Sequence, residues 1–338
     1  MDSPDVQTTD RSGVFADLRD LVERSGPFLT AIVPARSDVA DASDRLRVET
    51  GSALRDAPSE WSDDVRAMES EIADLHHGDG AALIAIRPRG GPTFYEFVAD
   101  AVHRPSVSVG PLPRLAPLLE ARQRTIPHVV VETDLAGADI TAFDGGDVVT
   151  QQQVEGDTTH IHRGHPGGWS QRRYQQRAEN TWDDNAREVS ESVRAVVESV
   201  GARLTLVTGP TRAQSMLVSL LELQRVAVRA IDAGDPDGMA DEIVRRVADV
   251  HASDTVAVLD EAKERIEHRA DSARHVESAL AEGRVQTLLV HDSGEPSDGG
   301  DDRLIDRCIA AALATDADIR VVPNVALLDQ GVAAILRW

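Results

Sequence analysis

Between Thr158 and Ala178 the chain carries four arginines (Arg163, Arg172, Arg173 and Arg177) and three histidines (His160, His162 and His165), with no acid among them. The middle reads His165-Pro166-Gly167-Gly168-Trp169-Ser170, small and flexible residues around one large aromatic. These residue types suit phosphate. Ser170 is expected as the N-cap of a helix whose first amides attract phosphate, and arginines in the next turn add charge-assisted contacts. Trp169 has the flat face that stacks on an unpaired base or against ribose, as in proteins that read splayed or single-stranded RNA. The same window also reads as a surface loop whose arginines pair with acids elsewhere.

Other constellations point to less chemistry. The string His160-x-His162-x-x-His165 invites a metal reading, since imidazole suits zinc, but nothing supplies the remaining ligands, so no metal is assigned. Thr208-Gly209-Pro210-Thr211-Arg212 lacks the spacing and lysine of a phosphate loop and is read as a tight strand-to-helix connection. Asp183-Asp184 falls on a helix where neighbours diverge by about 100°, which makes a solvated face and not a carboxylate dyad. Ser170 stands in no G-x-S-x-G elbow, and Cys308 sits in an apolar helical run as core. No catalytic residue and no cofactor is assigned.

Positive charge in that window is an exception. The 338 residues hold 35 Lys and Arg against 58 Asp and Glu, a net charge of −23, with 41% hydrophobic residues. That balance fits a globular chain and disfavours nonspecific duplex DNA binding, which relies on net positive charge to displace counterions. Lys263 is the only lysine. One cysteine permits neither an internal disulfide nor a Cys-based zinc site. The acidic start MDSPDVQTTD has no apolar core of a secretory leader, and no run approaches the roughly 18 apolar residues of a membrane helix. A cytoplasmic protein without a membrane partner is expected.

The elements that would hold the basic window follow from periodicity. In the first third, Val14, Leu18, Leu21 and Val22 mark a helix, and Phe28 to Val33 a strand closed by Pro34. Two polar helices follow at 41–55 and 62–76, then a hairpin of 81–87 and 93–98 across Pro88-Arg89-Gly90-Gly91-Pro92. A proline-rich passage from Pro105 to Pro117 closes this region, with a boundary near Pro127. Strands are expected at 128–133, 139–143 and 148–155, the last two joined at Gly145-Gly146. A polar segment then leads into a long helix through Tyr174, Ala178, Trp182, Ala186, Val189, Val193, Val196 and Val200, ended by Gly201. Beyond it come a strand at 204–208, a helix near 214–221, a strand at 226–231 and helices from 238 to about 268. Together these fit a mixed sheet with helices packed on it. In the last part, a helix at 275–281, a strand at 285–291, a helix at 303–314 and strands at 319–322 and 332–336 lack alternation, so both sheet faces should be covered. SGEPSDGGDD, residues 293–302, reads as a solvated acidic loop.

At the glycine pair the pattern resembles a known family. Gly167-Gly168-Trp169-Ser170-Gln171-Arg172-Arg173-Tyr174, followed by a long helix with Arg177, Glu179, Trp182 and Asn185, is similar to the bacterial and archaeal branch of the Pelota and eukaryotic-type class I release factor superfamily, which includes Balon-like ribosome hibernation factors. The carboxy-terminal stretches Gly283-Arg284-Val285, Thr287-Leu288-Leu289-Val290, Asp318 to Pro323 and Gly331 to Arg337 look like the ribosomal-protein-like third domain of that superfamily. The resemblance covers roughly residues 128 to 338. It implies an α/β protein of three domains: an N-terminal α/β domain at 1–127, a mixed-sheet, RNase H-like middle domain at 128–268 and an α/β/α C-terminal domain at 269–338.

In release factors of this superfamily the loop reads Gly-Gly-Gln, and the glutamine helps water attack peptidyl-tRNA. Here Trp169 follows Gly167-Gly168. An indole does not mimic the carboxamide, and Gln171 lies two positions later. The resemblance therefore implies a non-hydrolytic member that occupies the ribosomal A site and reaches the peptidyl-transferase centre. His160, His162, Arg163, His165 and Gly167 to Tyr174 with Arg177 would lie on rRNA or tRNA, and a translational GTPase of the elongation factor Tu type would be the partner. The alternatives are a peptidyl-tRNA hydrolase or tRNA-end nuclease of the same superfamily, and a non-ribosomal stress or scaffold protein.

Overall fold

The computed structural model describes residues 15–24, 26–35, 42–75, 80–99, 105–156, 169–224, 226–232, 236–291 and 303–338. The acidic loop expected at 293–302 lies outside them.

In the N-terminal region, α1 (Ala16–Val22), β1 (Phe28–Pro34), α2 (Ala42–Leu54), α3 (Ser62–Ala73), β2 (Ala82–Pro88), β3 (Phe94–Val98), β4 (Ser106–Gly110) and α4 (Ala116–Arg124) follow in order. The strands form an antiparallel sheet in the order β3-β2-β1-β4. β1 is almost wholly apolar because helices cover both its faces. Leu29, Ala31 and Val33 pack with Trp61, Met68 and Ile72 on the α2/α3 side, while Phe28 and Ile32 meet Leu18, Leu21 and Leu118 on the α1/α4 side. Buried Arg87 bonds Asp64 at 3.1 Å and Glu71 at 2.8 Å, so its charge is compensated. The passage expected only to close this region contains β4 and the start of α4. Pro105 and Pro111 flank β4 without entering it, and as an edge strand it is half-buried throughout.

The central region holds β5 (His128–Thr133), β6 (Gly137–Asp144), β7 (Asp147–Glu155), α5 (Trp169–Val200), β8 (Leu204–Thr208), α6 (Thr211–Leu223), β9 (Val228–Ala230) and α7 (Pro236–Glu264). Its sheet runs β7-β6-β5-β8-β9, with β5 to β7 antiparallel and β8 and β9 parallel to β5. This is the mixed sheet read from the sequence. Gly145 and Gly146, at φ +62° and +95°, make the hairpin turn that needs two left-handed residues. Val189, Val193 and Val196 of α5 and Leu217 and Leu221 of α6 cover Val129, Val131, Ile140 and Val207. Met239, Ile243, Val247 and Val250 of α7 cover Val130, Leu204 and Leu206 on the opposite face. The helices expected from 238 to 268 are one helix opened by Pro236, where a missing N–H costs nothing, followed by a 3₁₀ turn at Ile266–His268.

The last region contributes β10 (Arg269–Ala270), α8 (Ala273–Ala281), β11 (Val285–Val290), α9 (Leu304–Ala314), β12 (Asp318–Val321) and β13 (Val332–Leu336). The order is β10-β13-β11-β12, with only β11 and β12 parallel. Leu288, Ile319 and Ala334 face α8 and α9, whereas Leu289, Ala333 and Ile335 face Ala262 near the end of α7. Both faces are covered, as the lack of alternation implied.

The chain forms two compact units. One joins residues 1–123 to 255–338, and the other spans Arg124–Asp254. Within the first, the Gln123 amide acts as a surrogate strand against β12: its Nε2 donates to Ile319 O at 2.7 Å and its Oε1 accepts from Val321 N at 3.0 Å. No helix among the described residues is long and apolar enough to cross a membrane.

Candidate nucleic-acid interface

Helix α5 runs 32 residues, about 48 Å at 1.5 Å each. Gly201, at φ +63°, ends it as expected, supplying the left-handed residue that closes a helix. Its C-terminal half is fixed by the valine stripe on the sheet. Each such valine contributes roughly 1.5–3 kcal/mol when fully buried. The stripe begins with Trp182, and Glu179 and Asn180 before it are exposed. Thirteen helical steps, about 20 Å, separate Trp182 from Trp169.

The basic window divides at the helix start. His160, His162, Arg163, His165, Gly167 and Gly168 lie outside the described residues. Trp169, Ser170, Gln171, Arg172, Arg173, Tyr174 and Arg177 occupy the first turns of α5. Ser170, expected as the N-cap, is the second residue of the helix; Trp169 extends the helical run one position earlier. Arg173 and Arg177 stand one turn apart.

Three contacts fix the base of this helix, and only one of the residues that make them belongs to an apolar pattern. The Asn185 amide, 5% exposed, donates from Nδ2 to Leu135 O at 3.0 Å, tying α5 to the β5–β6 turn. That turn is itself closed by Asp134, whose Oδ1 accepts from the Ala136 and Gly137 amides at 2.7 and 2.8 Å. Gly156, where the chain leaves β7 toward the basic window, bonds Ala136 O at 2.6 Å and lies so close under Asn185 that a Cβ there would stand 2.3 Å from Asn185 Cγ. The third contact comes from the start of α6. Arg212 lies over the Trp182 ring at 4.3 Å and reaches Glu179 at 3.5 Å. Gly156, where the chain leaves β7, and the base of α5 are therefore held by one polar cluster.

Sequence reasoning found Trp182 through the apolar stripe and Asn185 only as part of a family pattern. Arg212 carried no signal, because its partner is thirty residues away in sequence. The Thr208-Gly209-Pro210 segment is the tight connection expected: a Cβ at Gly209, φ +138°, would meet Thr133 O at 1.9 Å. Asp183 and Asp184 are exposed, as read, and Arg187 pairs with Asp184 at 2.6 Å. Cys308 is 1% exposed in the core of the last region.

Residues 127–269 match the model of bacterial archaeo-eukaryotic release factor family 2. Among solved structures, the chain is similar to an archaeal translation termination factor, aRF1, at 18% identity over 95% of this chain and 96% of that one, with a TM-score of 0.26. It is similar to archaeal Pelota from a ribosome-bound model with ABCE1 at 12% identity, covering 95% and 92% of the two chains, TM-score 0.43. Dom34 of S. cerevisiae, described as a translation termination-like factor in RNA quality control that interacts with Hbs1, aligns at 11% identity over 73% of each chain, TM-score 0.43. No curated protein matches the chain in sequence.

Proposed function

We propose, for a chain whose residues 127–269 match the model of bacterial archaeo-eukaryotic release factor family 2, that it is a cytoplasmic ribosome-binding translation factor of hibernation or rescue that does not release peptide. The observation that carries this reading is the acid-free window with four arginines, set at the start of a 32-residue helix in a chain of net charge −23. Such a chain approaches an RNA-lined space by one basic end. Gly167 to Tyr174 would enter the peptidyl-transferase centre or meet the tRNA acceptor end from the A site, with Arg163, Arg172, Arg173 and Arg177 on phosphates. His160, His162 and His165 would line the same contact. A GTPase of the elongation factor Tu type is the matching delivery partner, and the three sheets would act as three functional domains.

Trp169 in place of the catalytic glutamine supports binding without hydrolysis. Stacking contributes about 1–3 kcal/mol per base, so an indole at the tip favours holding RNA.

The test is cosedimentation with 70S ribosomes across salt. The wild type is expected to pellet, and R172A/R173A to bind more weakly with a flatter salt dependence, each lost phosphate contact reducing the slope by about 0.9. Failure of the wild type to pellet at moderate salt would remove the ribosome from the reading. Peptide release from stalled ribosomes that vanishes in Gln171→Ala would replace it with the hydrolase.

A further inference from the structure

At the carboxyl ends of β5 and β8 an open cleft of about 630 Å³ is bordered by Glu132, Asp134, Asp139, Glu155 and Thr208. Its place follows from the topology. β5 is followed by a strand on one side of it and β8 by a strand on the other, so the chain diverges between these two parallel strands. Crevices at such divergence points are where open α/β sheets take ligands.

The side chains there form a row. Thr208 is paired with Glu132, Glu132 with Asp139, and Asp139 with Gln153, so the four stand side by side on one sheet face. The three carboxylates of Glu132, Asp139 and Glu155 are exposed, and among the described residues no basic side chain lines the cleft. Thr208 is different: it is 1% exposed, and its Oγ1 has no hydrogen-bond partner among the described residues. A buried hydroxyl left unsatisfied costs about 1–3 kcal/mol, which an incoming group would recover. Behind it, Gly209 approaches Thr133 O so closely that only glycine fits, which closes the inner end of the cleft.

We infer that this cleft binds an organic cation, an ammonium or guanidinium group held by Glu132 and Asp139 with the Thr208 hydroxyl accepting one of its N–H bonds. A bare metal ion fits less well, since no three acids or histidines among the described residues stand close enough to ligate one. An ammonium or guanidinium donates several bonds over a larger span and needs no closed shell of ligands. Such a group is carried by a free polyamine or by a lysine or arginine of a basic polypeptide.

Calorimetric titration of the full chain at physiological ionic strength, with spermidine in one arm and a short arginine- and lysine-rich peptide in the other, tests it. Saturable binding is expected in at least one arm, and the arm that binds identifies the source. E132Q/D139N should weaken it by about tenfold, the loss expected for two screened charges. T208V should weaken it severalfold while leaving thermal stability equal or higher, because the unfilled hydroxyl is removed without a partner being lost. No saturation in either arm, or equal binding by the wild type and both variants, overturns the proposal. E132Q/D139N changes only exposed side chains, so it decides the matter even if T208V fails to fold.

Discussion

The guanidinium of Arg212 lies over the indole of Trp182 at 4.3 Å from the ring centroid, joining the first turn of α6 to the base of α5. Trp182 is 9% exposed and marks where α5 meets the sheet, so this contact acts on the stretch of helix that carries the basic window. Arg212→Ala is expected to cost about 0.5–1 kcal/mol, the range for a cation over an aromatic face near the surface. Urea denaturation reads the change as a lower midpoint. A Trp182-specific fluorescence shift, obtained by difference against Trp182→Phe, should accompany it in the native state. An unmoved midpoint together with an unmoved spectrum would show that the stacking carries no energy.

Gly156 and Asn185 make a second, steric test. A Cβ at residue 156 would stand 2.3 Å from Asn185 Cγ and 2.7 Å from Ala136 O. Gly156→Ala therefore pushes against both a side chain and the β5–β6 turn. Asn185→Ala removes the bond to Leu135 O and should cost about 1–3 kcal/mol, the range for stranding a buried partner. The double variant should be less unstable than the sum, because Asn185→Ala relieves one of the two clashes. Strict additivity in chemical denaturation would mean that the two residues do not press on one another.

What could be read beforehand divides along local and non-local lines. The valine stripe of α5, the Gly145-Gly146 turn and the unalternating strands of the last region are local patterns, and all appear where read. The edge strand β4 was hidden by its flanking prolines, and β10 by having only two residues. The cluster that fixes the base of α5 is non-local: Asn185 meets Leu135 fifty residues away, and Arg212 meets Trp182 across a strand and a turn. No periodicity reports such pairs. The cleft row from Thr208 to Gln153 is likewise a product of register between four strands, each unremarkable alone.

Acid should destabilise the fold, and the sign follows from three groups. Burial alone would raise the pKa of Asp17, but its hydrogen bonds and attraction to Arg122 outweigh this and hold it below the usual carboxylate range. Glu71 is likewise held low, burial being outweighed by bonds from Thr93 and Arg87. His128, packed flat on Phe143 at 4.9 Å, has its pKa lowered by burial despite a bond to Ile126 O. In each case the unfolded chain takes up the proton first, so stability present above the unfolded value is lost as pH falls toward the folded one. His128 contributes to the fall below about pH 6.5 and the two carboxylates below about pH 4.5. Asp17 and Glu71 are each more than a third exposed, so solvent screening keeps their share small. Thermal melts from pH 8 downward should show a first decline absent in His128→Phe. A wild type and His128→Phe that decline in parallel would assign that step elsewhere.

Cys308 offers a chemical readout of the last region. It is 1% exposed on α9, in the core that α9 shares with α8 and the sheet, and burial pushes its thiol up to about 12, with Glu277 adding to the rise and Arg307 opposing it. A thiol that is both covered and protonated cannot present the thiolate that attacks a disulfide reagent. In the native protein at pH 8, Cys308 should therefore react with an aromatic disulfide only at the rate at which this region opens, and at full speed in strong denaturant. Leu280→Ala, which leaves a cavity in the same core and should cost about 2–5 kcal/mol, is expected to speed the native reaction if it leaves the chain folded. The milder Ile309→Val, next to the thiol in sequence, should speed it less, since it removes one methylene at about 0.5–1.5 kcal/mol. Rapid labelling of the folded wild type would contradict the packing around α9, because no local route to the sulfur exists in a closed core.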